Sequence, residues 1–169
     1  VMSPQRVRTI IRTESMRAYN AALVEQYDEI PEVTEYEWTA ARGSRTCLAC
    51  LALDGERYTD KAEIPGRHPL CRCTISPVPE NEYQSVKDYF ARRGTAEEWM
   101  RKRSPADIRR HFPSEDAYQA FMRGDLTLKD FLGESHSKVW GTSIRQKSGR
   151  EALEGLSVPK VADIPTPPK

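Results

Sequence analysis

The sequence predicts an α+β fold: a long N-terminal helix packed on short strands with a zinc-knuckle-like Cys/His loop region, followed by a mainly helical C-terminal half. Three observations predict it. Residues 3–30 carry apolar side chains at helical spacing. Residues 33–40 alternate. All four cysteines, with one of the three histidines, fall between Arg45 and Cys73.

In the first segment Ser3 can cap the helix and Pro4 suits its first position. Val7, Ile10, Ile11, Ala18, Ala22, Leu23 and Tyr27 fall near one face, which the pattern assigns to the core. Pro31 ends the run. In "VTEYEWTA" Tyr36, Trp38 and Ala40 share one side of a strand, with Glu35 and Glu37 on the other. Trp38 reads as a core anchor. Arg42-Gly43-Ser44 turns the chain, Asp54-Gly55 supplies a tight turn, and a short strand is expected at 56–59. Residues 60–70 read as loop, and 72–76 as a strand ending before Pro77 and Pro79.

The cysteines decide the chemistry considered first. The start, "VMSPQRVRTIIRTESMRAYN", is charged and lacks an apolar core of secretory length. No apolar run approaches the roughly 18 residues a membrane span needs. The expectation is a chain made in the cytoplasm with reduced thiols, where a CxxC and a His/Cys cluster read as a metal site before they read as disulfides. Zinc takes thiolate and imidazole ligands, four in a structural site. Five candidates are present: Cys47, Cys50, His68, Cys71 and Cys73. Cys47 and Cys50 form the first pair. His68 and Cys71 share its spacing, whereas Cys71 and Cys73 would point to opposite faces of an extended segment. The metal would take four of the five. The competing readings are packed or paired thiols and catalysis. A thioredoxin-like reading of CLAC lacks βαβ flanks.

Beyond residue 80, helices are expected at 85–93, 96–103, 105–111, 114–123 and 127–132, with Ser114 and Thr127 as N-caps. Tyr89, Phe90, Trp99, Phe112, Tyr118, Phe121, Phe131 and Trp140 supply their apolar contacts. The expected units are residues 1–79 with the Cys/His cluster, 80–156 as a helical module or arms, and 157–169 as a Pro-rich extended tail. With 26 Lys+Arg against 25 Asp+Glu, no global charge demands nucleic acid. Arg92, Arg93, Arg101, Lys102, Arg103, Arg109 and Arg110 form a local basic cluster, read as solvated helical faces with a nucleic-acid face as the alternative. A mean hydropathy of −0.70 suits a partner-dependent protein better than a compact enzyme. The Val start, with a helix beginning almost at once, reads as a fragment of a longer or processed protein.

The ordered series "RTE…RAYN" (Arg12-Thr13-Glu14, then Arg17 to Asn20), Trp38, "RTCLAC", "LDG" and "HPLCRC" resembles the phage Mu F-like minor head proteins, over about residues 5–79. The family often has an acidic residue just before the "RTC" element, where this chain reads Gly43-Ser44-Arg45. The resemblance implies a virion protein of head morphogenesis, working in low copy near the portal or capsid interior, and in the host cytoplasm before assembly. Portal and capsid proteins are the implied partners, packaged DNA a further one, with no membrane and no small-molecule substrate.

Enzymatic readings find few groups. A nuclease of the HNH type would need more than the His of "RHP", and residues 80–92 hold no histidine. There is no HExxH. "WGTSIRQKSGRE" offers the letters of an ADP-ribosyltransferase without its strand order. His111 and His136 read as surface or packing residues. Arg12, Glu14, Asn20 and Arg72 are expected to form a structural polar network, with Arg72 reaching Glu14; a carboxylate beside a guanidinium stays ionised and shuttles protons poorly. The reading is a structural protein stabilised by Zn2+ and not an enzyme; the alternative is a DNA-binding or nuclease protein on the same module.

Overall fold

A computed structural model describes residues 2–81, 84–139, 141–154 and 156, without the side chains of Ser85, Val86 and Phe90. The tail expected at 157–169 and the contacts expected of Phe90 and Trp140 lie outside the described residues.

Helix α1 (Pro4–Asp28) opens where the sequence places it. Ser3 Oγ accepts the Arg6 N–H at 3.3 Å, and Pro4 takes the first turn. The expected apolar stripe packs only in part: Ile10, Leu23 and Tyr27 are half-buried, and Tyr27 lies against the core. Val7 and Ile11 are exposed, as are Ala18 and Ala22, and the two buried side chains of α1 are Thr13 and Asn20. The helix is thus held by polar groups that meet specific backbone atoms, together with Val24 and Tyr27 against the core.

A three-stranded antiparallel sheet runs β2 (Arg57–Tyr58), β1 (Val33–Thr39), β3 (Thr74–Pro79). The register sets Trp38 opposite Ile75 and Tyr36 opposite both Tyr58 and Pro77. Tyr36, Trp38 and Ala40 are buried as the alternation predicts, and Glu37 is buried as well. Strand β3 runs on through Pro77 to Pro79 because it is an edge, where a proline's missing N–H leaves no partner strand unsatisfied. Between β1 and β2, the CxxC segment is not a bare turn but a short helix, α2 (Leu48–Ala52), with every residue buried and Cys47 as its N-cap.

Helices α3 (Gln84–Arg93), α4 (Ala96–Arg101), α5 (Pro105–Arg109) and α6 (Glu115–Arg123) follow in the expected order. Each local stop has a chemical cause. Thr95 and Glu98 form a capping box on α4, Ser104 and Ser114 cap α5 and α6, and Gly124 closes α6 in the left-handed region at φ 88°. The helix expected at 127–132 is a 3₁₀ turn, Leu128–Phe131. Phe112 sits 5.0–5.6 Å from the rings of Tyr118, Phe121 and Phe131.

The rest of the second half adds a hairpin to the mainly helical arrangement expected. Strands β4 (Leu132–Ser137) and β5 (Gly141–Gln146) form an antiparallel hairpin, and α7 (Gly149–Leu153) closes the described chain. One continuous core joins both halves: Trp38, Leu48, Leu51 and Ile75 pack in the same cluster as Met100, Phe121, Phe131 and Ile144. Gly66 shows how close the halves come. A Cβ there would lie 2.2 Å from the Thr142 carbonyl oxygen, and the Gly66 carbonyl accepts the Ile144 N–H at 2.7 Å.

Candidate metal centre

The four sulfurs and His68 converge between α1, α2 and the start of β3. His68 Nε2 lies 3.3 Å from Cys47 Sγ and 3.2 Å from Cys50 Sγ, and Cys50 Sγ lies 3.7 Å from Cys71 Sγ. Cys47, Cys50 and His68 form one mutually close set, and Cys50, Cys71 and Cys73 another. A tetrahedral zinc with Zn–S near 2.3 Å and Zn–N near 2.0 Å sets S···S edges of about 3.8 Å and S···N edges of about 3.5 Å. A disulfide would need sulfurs at about 2.0 Å; all four cysteines are free. The donor set and its spacing fit a cation bound by thiolates and imidazole.

Local structure explains the convergence. Cys47 at the start of α2 accepts the Cys50 N–H at 3.4 Å, the bond that makes a knuckle of a CxxC. His68 Nδ1 lies 2.7 Å from the Pro69 carbonyl oxygen. A carbonyl can only accept, so Nδ1 holds a proton, and Nε2 is the nitrogen turned to the sulfurs. Burial is nearly complete at Cys50, Cys71 and Cys73.

The electrostatics divide the sulfurs, favouring the thiolate at Cys47 and Cys71 and the thiol at Cys50 and Cys73. The Cys47 thiol is held down to about 5, first by its hydrogen bond with Cys50 and then, against burial, by His68. Cys71 lies well below the usual thiol range, first through Cys50 and then Cys73. Cys50 is pushed up by the same sulfur–sulfur bonds. Cys73 is lowered by Cys50 but raised more by Cys71 and burial, to about 12. Burial lowers His68, but its bonds to Cys47 and Cys71 and their charge outweigh that and bring it to about 10. Arg67 adds a fixed positive charge: its guanidinium lies 5.1 Å above the Trp38 ring.

Around this centre the structure sorts the residues of the expected polar network. Asn20 is its node. Its Oδ1 accepts from Arg67 at 2.9 Å and from the Ile75 N–H at 3.3 Å, while Nδ2 donates to the Met16 and Cys73 carbonyls. Arg12, Glu14 and Arg72 are exposed. The inward residue of "RTE" is Thr13, whose Oγ1 accepts the Leu70 N–H at 3.1 Å. Thr13 and Asn20 are seven residues apart and so share a helix face; that spacing is the signal that points to them.

Sequence reasoning missed three further supports. His111 is buried, and its Nδ1 donates to the Thr46 carbonyl oxygen at 2.8 Å, just before Cys47. Gln146 on β5 accepts the Leu48 N–H at 2.8 Å and donates to the His111 carbonyl. Asp54 of "LDG" is more than a turn residue. Its carboxylate accepts from the Ala40 N–H at 2.7 Å, Arg42 Nε at 2.5 Å and Arg93 at 2.8 Å. Arg42 also donates to the Arg93 and Gly94 carbonyls, tying α3 to the end of β1.

The basic cluster divides. Arg93 is turned inward to Asp54 and is only 13% exposed. Arg92, Arg101, Lys102, Arg103, Arg109 and Arg110 are exposed. Among these, Arg101, Arg103 and Arg109 lie over Phe121, Trp99 and Tyr118, and Arg109 and Arg110 pair with Glu115 and Asp107. His136 is exposed beside Thr142. In "GTSIRQKSGRE", Arg145 is paired with Glu151, whose carboxyl it holds down to about 2 together with Ser148.

A buried Cys/His knuckle clamped under a long helix defines the class: a small α+β module built around a metal-type donor cluster. Residues 1–76 match the family described as Phage Mu protein F like protein, and over this segment the chain is similar to that family. The chain is also similar to the Mu-like prophage FluMu F protein of Haemophilus influenzae, 35% identical over 89 residues, covering 49% of this chain. It spans 22% of that relative's length. No solved structure matches it. Among the described residues no helix is long and apolar enough to cross a membrane.

Proposed function

We propose that the chain is a structural part of a phage or prophage head, which works through protein–protein contacts during head morphogenesis, and that a structural Zn2+ staples its N-terminal module. The observation that carries the metal part is the trio of edges at 3.2–3.7 Å linking Cys47, Cys50, His68 and Cys71. Those four are the proposed ligands. Cys73, grouped with Cys50 and Cys71, forms none of these three edges and stands beside them as the fifth donor of the cluster. The match of residues 1–76 supports the head assignment.

No catalytic role is assigned. The buried carboxylate Asp54 is saturated by donors, and Glu151 is paired with Arg145. The alternative of a DNA-binding or nuclease protein using Arg92 to Arg110 is weakened by the pairing and stacking of most of those side chains. Mass spectrometry of purified particles from an induced host tests the reading. The protein is expected in heads at low copy. Its presence in the lysate but absence from particles would overturn the assembly role. Plasmid cleavage with added divalent metal would transfer the case to the alternative.

A further inference from the structure

The N-terminal turns of α1 pack on little. Of residues 4–12 only Thr9 and Ile10 are half-buried, and the rest are exposed. Ile11 is 59% exposed. It lines a surface depression with Gln5, Arg8, Thr9, Arg12 and Leu70. Leu70 also lines the depression at the sulfur cluster, as do Arg45 and Arg72. The two depressions therefore meet at Leu70, and neither is lined by a carboxylate. Arg8, Arg12, Arg45 and Arg72 form no ion pair among the described residues. This contrasts with the stacked and paired arginines of the second half.

Leu70 also holds an unusual backbone conformation. Its backbone sits at φ +62°, in the left-handed region where a bulky side chain is strained, yet its side chain is 43% exposed. The turn between His68 and Cys71 sets that backbone conformation. Glycine would adopt it freely. An outward leucine there does little for the core and costs strain, the kind of position that persists at functional surfaces.

We infer that the Ile11–Leu70 surface, flanked by Arg8, Arg12, Arg45 and Arg72, is the docking site for an acidic amphipathic helix of a partner protein. Apolar side chains at the centre and guanidiniums at the rim are the complement of a helix with one apolar stripe and flanking carboxylates. A second copy seated face to face would set arginine against arginine. The chain's own residues 157–169 bring two lysines and a single carboxylate, Asp163, and do not match the charge. A phosphate backbone would use the arginines but leave Ile11 and Leu70 without a partner.

The inference rests on the assembly reading above, and its test reads binding by the full chain alone, so its failure would leave the head assignment and the staple standing. The probe is a fluorescein-labelled 20-residue helical peptide of Leu, Ala and Glu with one apolar stripe. Controls are its Glu→Gln version and a labelled DNA duplex. Anisotropy should show binding to the acidic peptide. Ile11→Asp should weaken it by about tenfold or more, the scale of one buried aliphatic contact. Leu70→Gly is the decisive variant. It relieves the strained φ, so zinc content and melting temperature should hold or rise while peptide affinity falls by a similar factor. No binding to the acidic peptide, equal binding of the Glu→Gln peptide, preference for DNA, self-association through this face, or unchanged affinity in Leu70→Gly would each overturn the proposal.

Discussion

Asp54→Asn isolates the buried carboxylate that joins the sulfur-bearing half to α3. The substitution keeps the shape, and one oxygen can still accept the Ala40 N–H. The other becomes an amide and confronts Arg42 Nε donor to donor. The Asp54 side chain is 1% exposed, with Arg42 at 11% and Arg93 at 13%, so water cannot replace the lost charge. Removing one partner of a buried ion pair costs about 3–5 kcal/mol. Arg42 keeps its bonds to the Arg93 and Gly94 carbonyls, each worth about 1 kcal/mol net. The lower end, about 3 kcal/mol, is therefore expected, against a total of about 5–15 kcal/mol for a domain. Urea unfolding at pH 7, followed by circular dichroism, should show a lower midpoint with an unchanged slope. Lys61→Met serves as the contrast. Its pairs with Asp28 and Glu25 are exposed and contribute little. A loss below about 1 kcal/mol in Asp54→Asn, no larger than that of an exposed pair, would refute the reasoning.

Asn20→Ala leaves the Ile75 N–H and the Arg67 guanidinium without an acceptor and should cost about 2–4 kcal/mol, read in the same denaturation assay; a neutral outcome would remove Asn20 as the node. Gly66→Ala forces the 60–70 loop away from Thr142 and should cost about 1–3 kcal/mol, with faster hydrogen exchange at the Ile144 amide as its local signature. Burial holds the Glu37 carboxyl above its ordinary range, against the opposing pull of Arg57. The folded protein thus binds that proton more tightly than the unfolded chain. The group's contribution is present below the unfolded pKa and is lost as pH rises through the folded one. Glu37→Gln should therefore melt higher than wild type at pH 7, with the difference closing near about pH 4; a difference independent of pH would contradict the burial account.

The first half was legible because its chemistry repeats at fixed spacings. Trp38 sits in the core because VTEYEWTA alternates. The sulfurs meet because CLAC and HPLCRC each fold back on themselves. The stripe on α1 was legible only in part: Tyr27 packs on the core, but periodicity counts apolar residues and overlooks Thr13 and Asn20, which bond to backbone atoms of the metal loop. Helix α2 was hidden within a motif whose spacing speaks for a turn. The β4–β5 hairpin was illegible for a physical reason: "LGESHS" and "GTSIRQ" are rich in Gly and Ser, with weak strand preference. Their pairing depends on distant partners, Gly66 and Leu48 among them. His111 and Gln146 gave no local signal, since each acts on backbone from far away in the chain.

The central claim is that one Zn2+, held by Cys47, Cys50, His68 and Cys71, staples the N-terminal module. Elemental analysis of the purified full chain by mass spectrometry, beside Cys71→Ser and Cys73→Ser, tests it most directly. The account predicts one zinc per chain in wild type and in Cys73→Ser, and its loss in Cys71→Ser together with cooperative unfolding. A wild type that folds without metal, or zinc lost from Cys73→Ser and kept by Cys71→Ser, would contradict it.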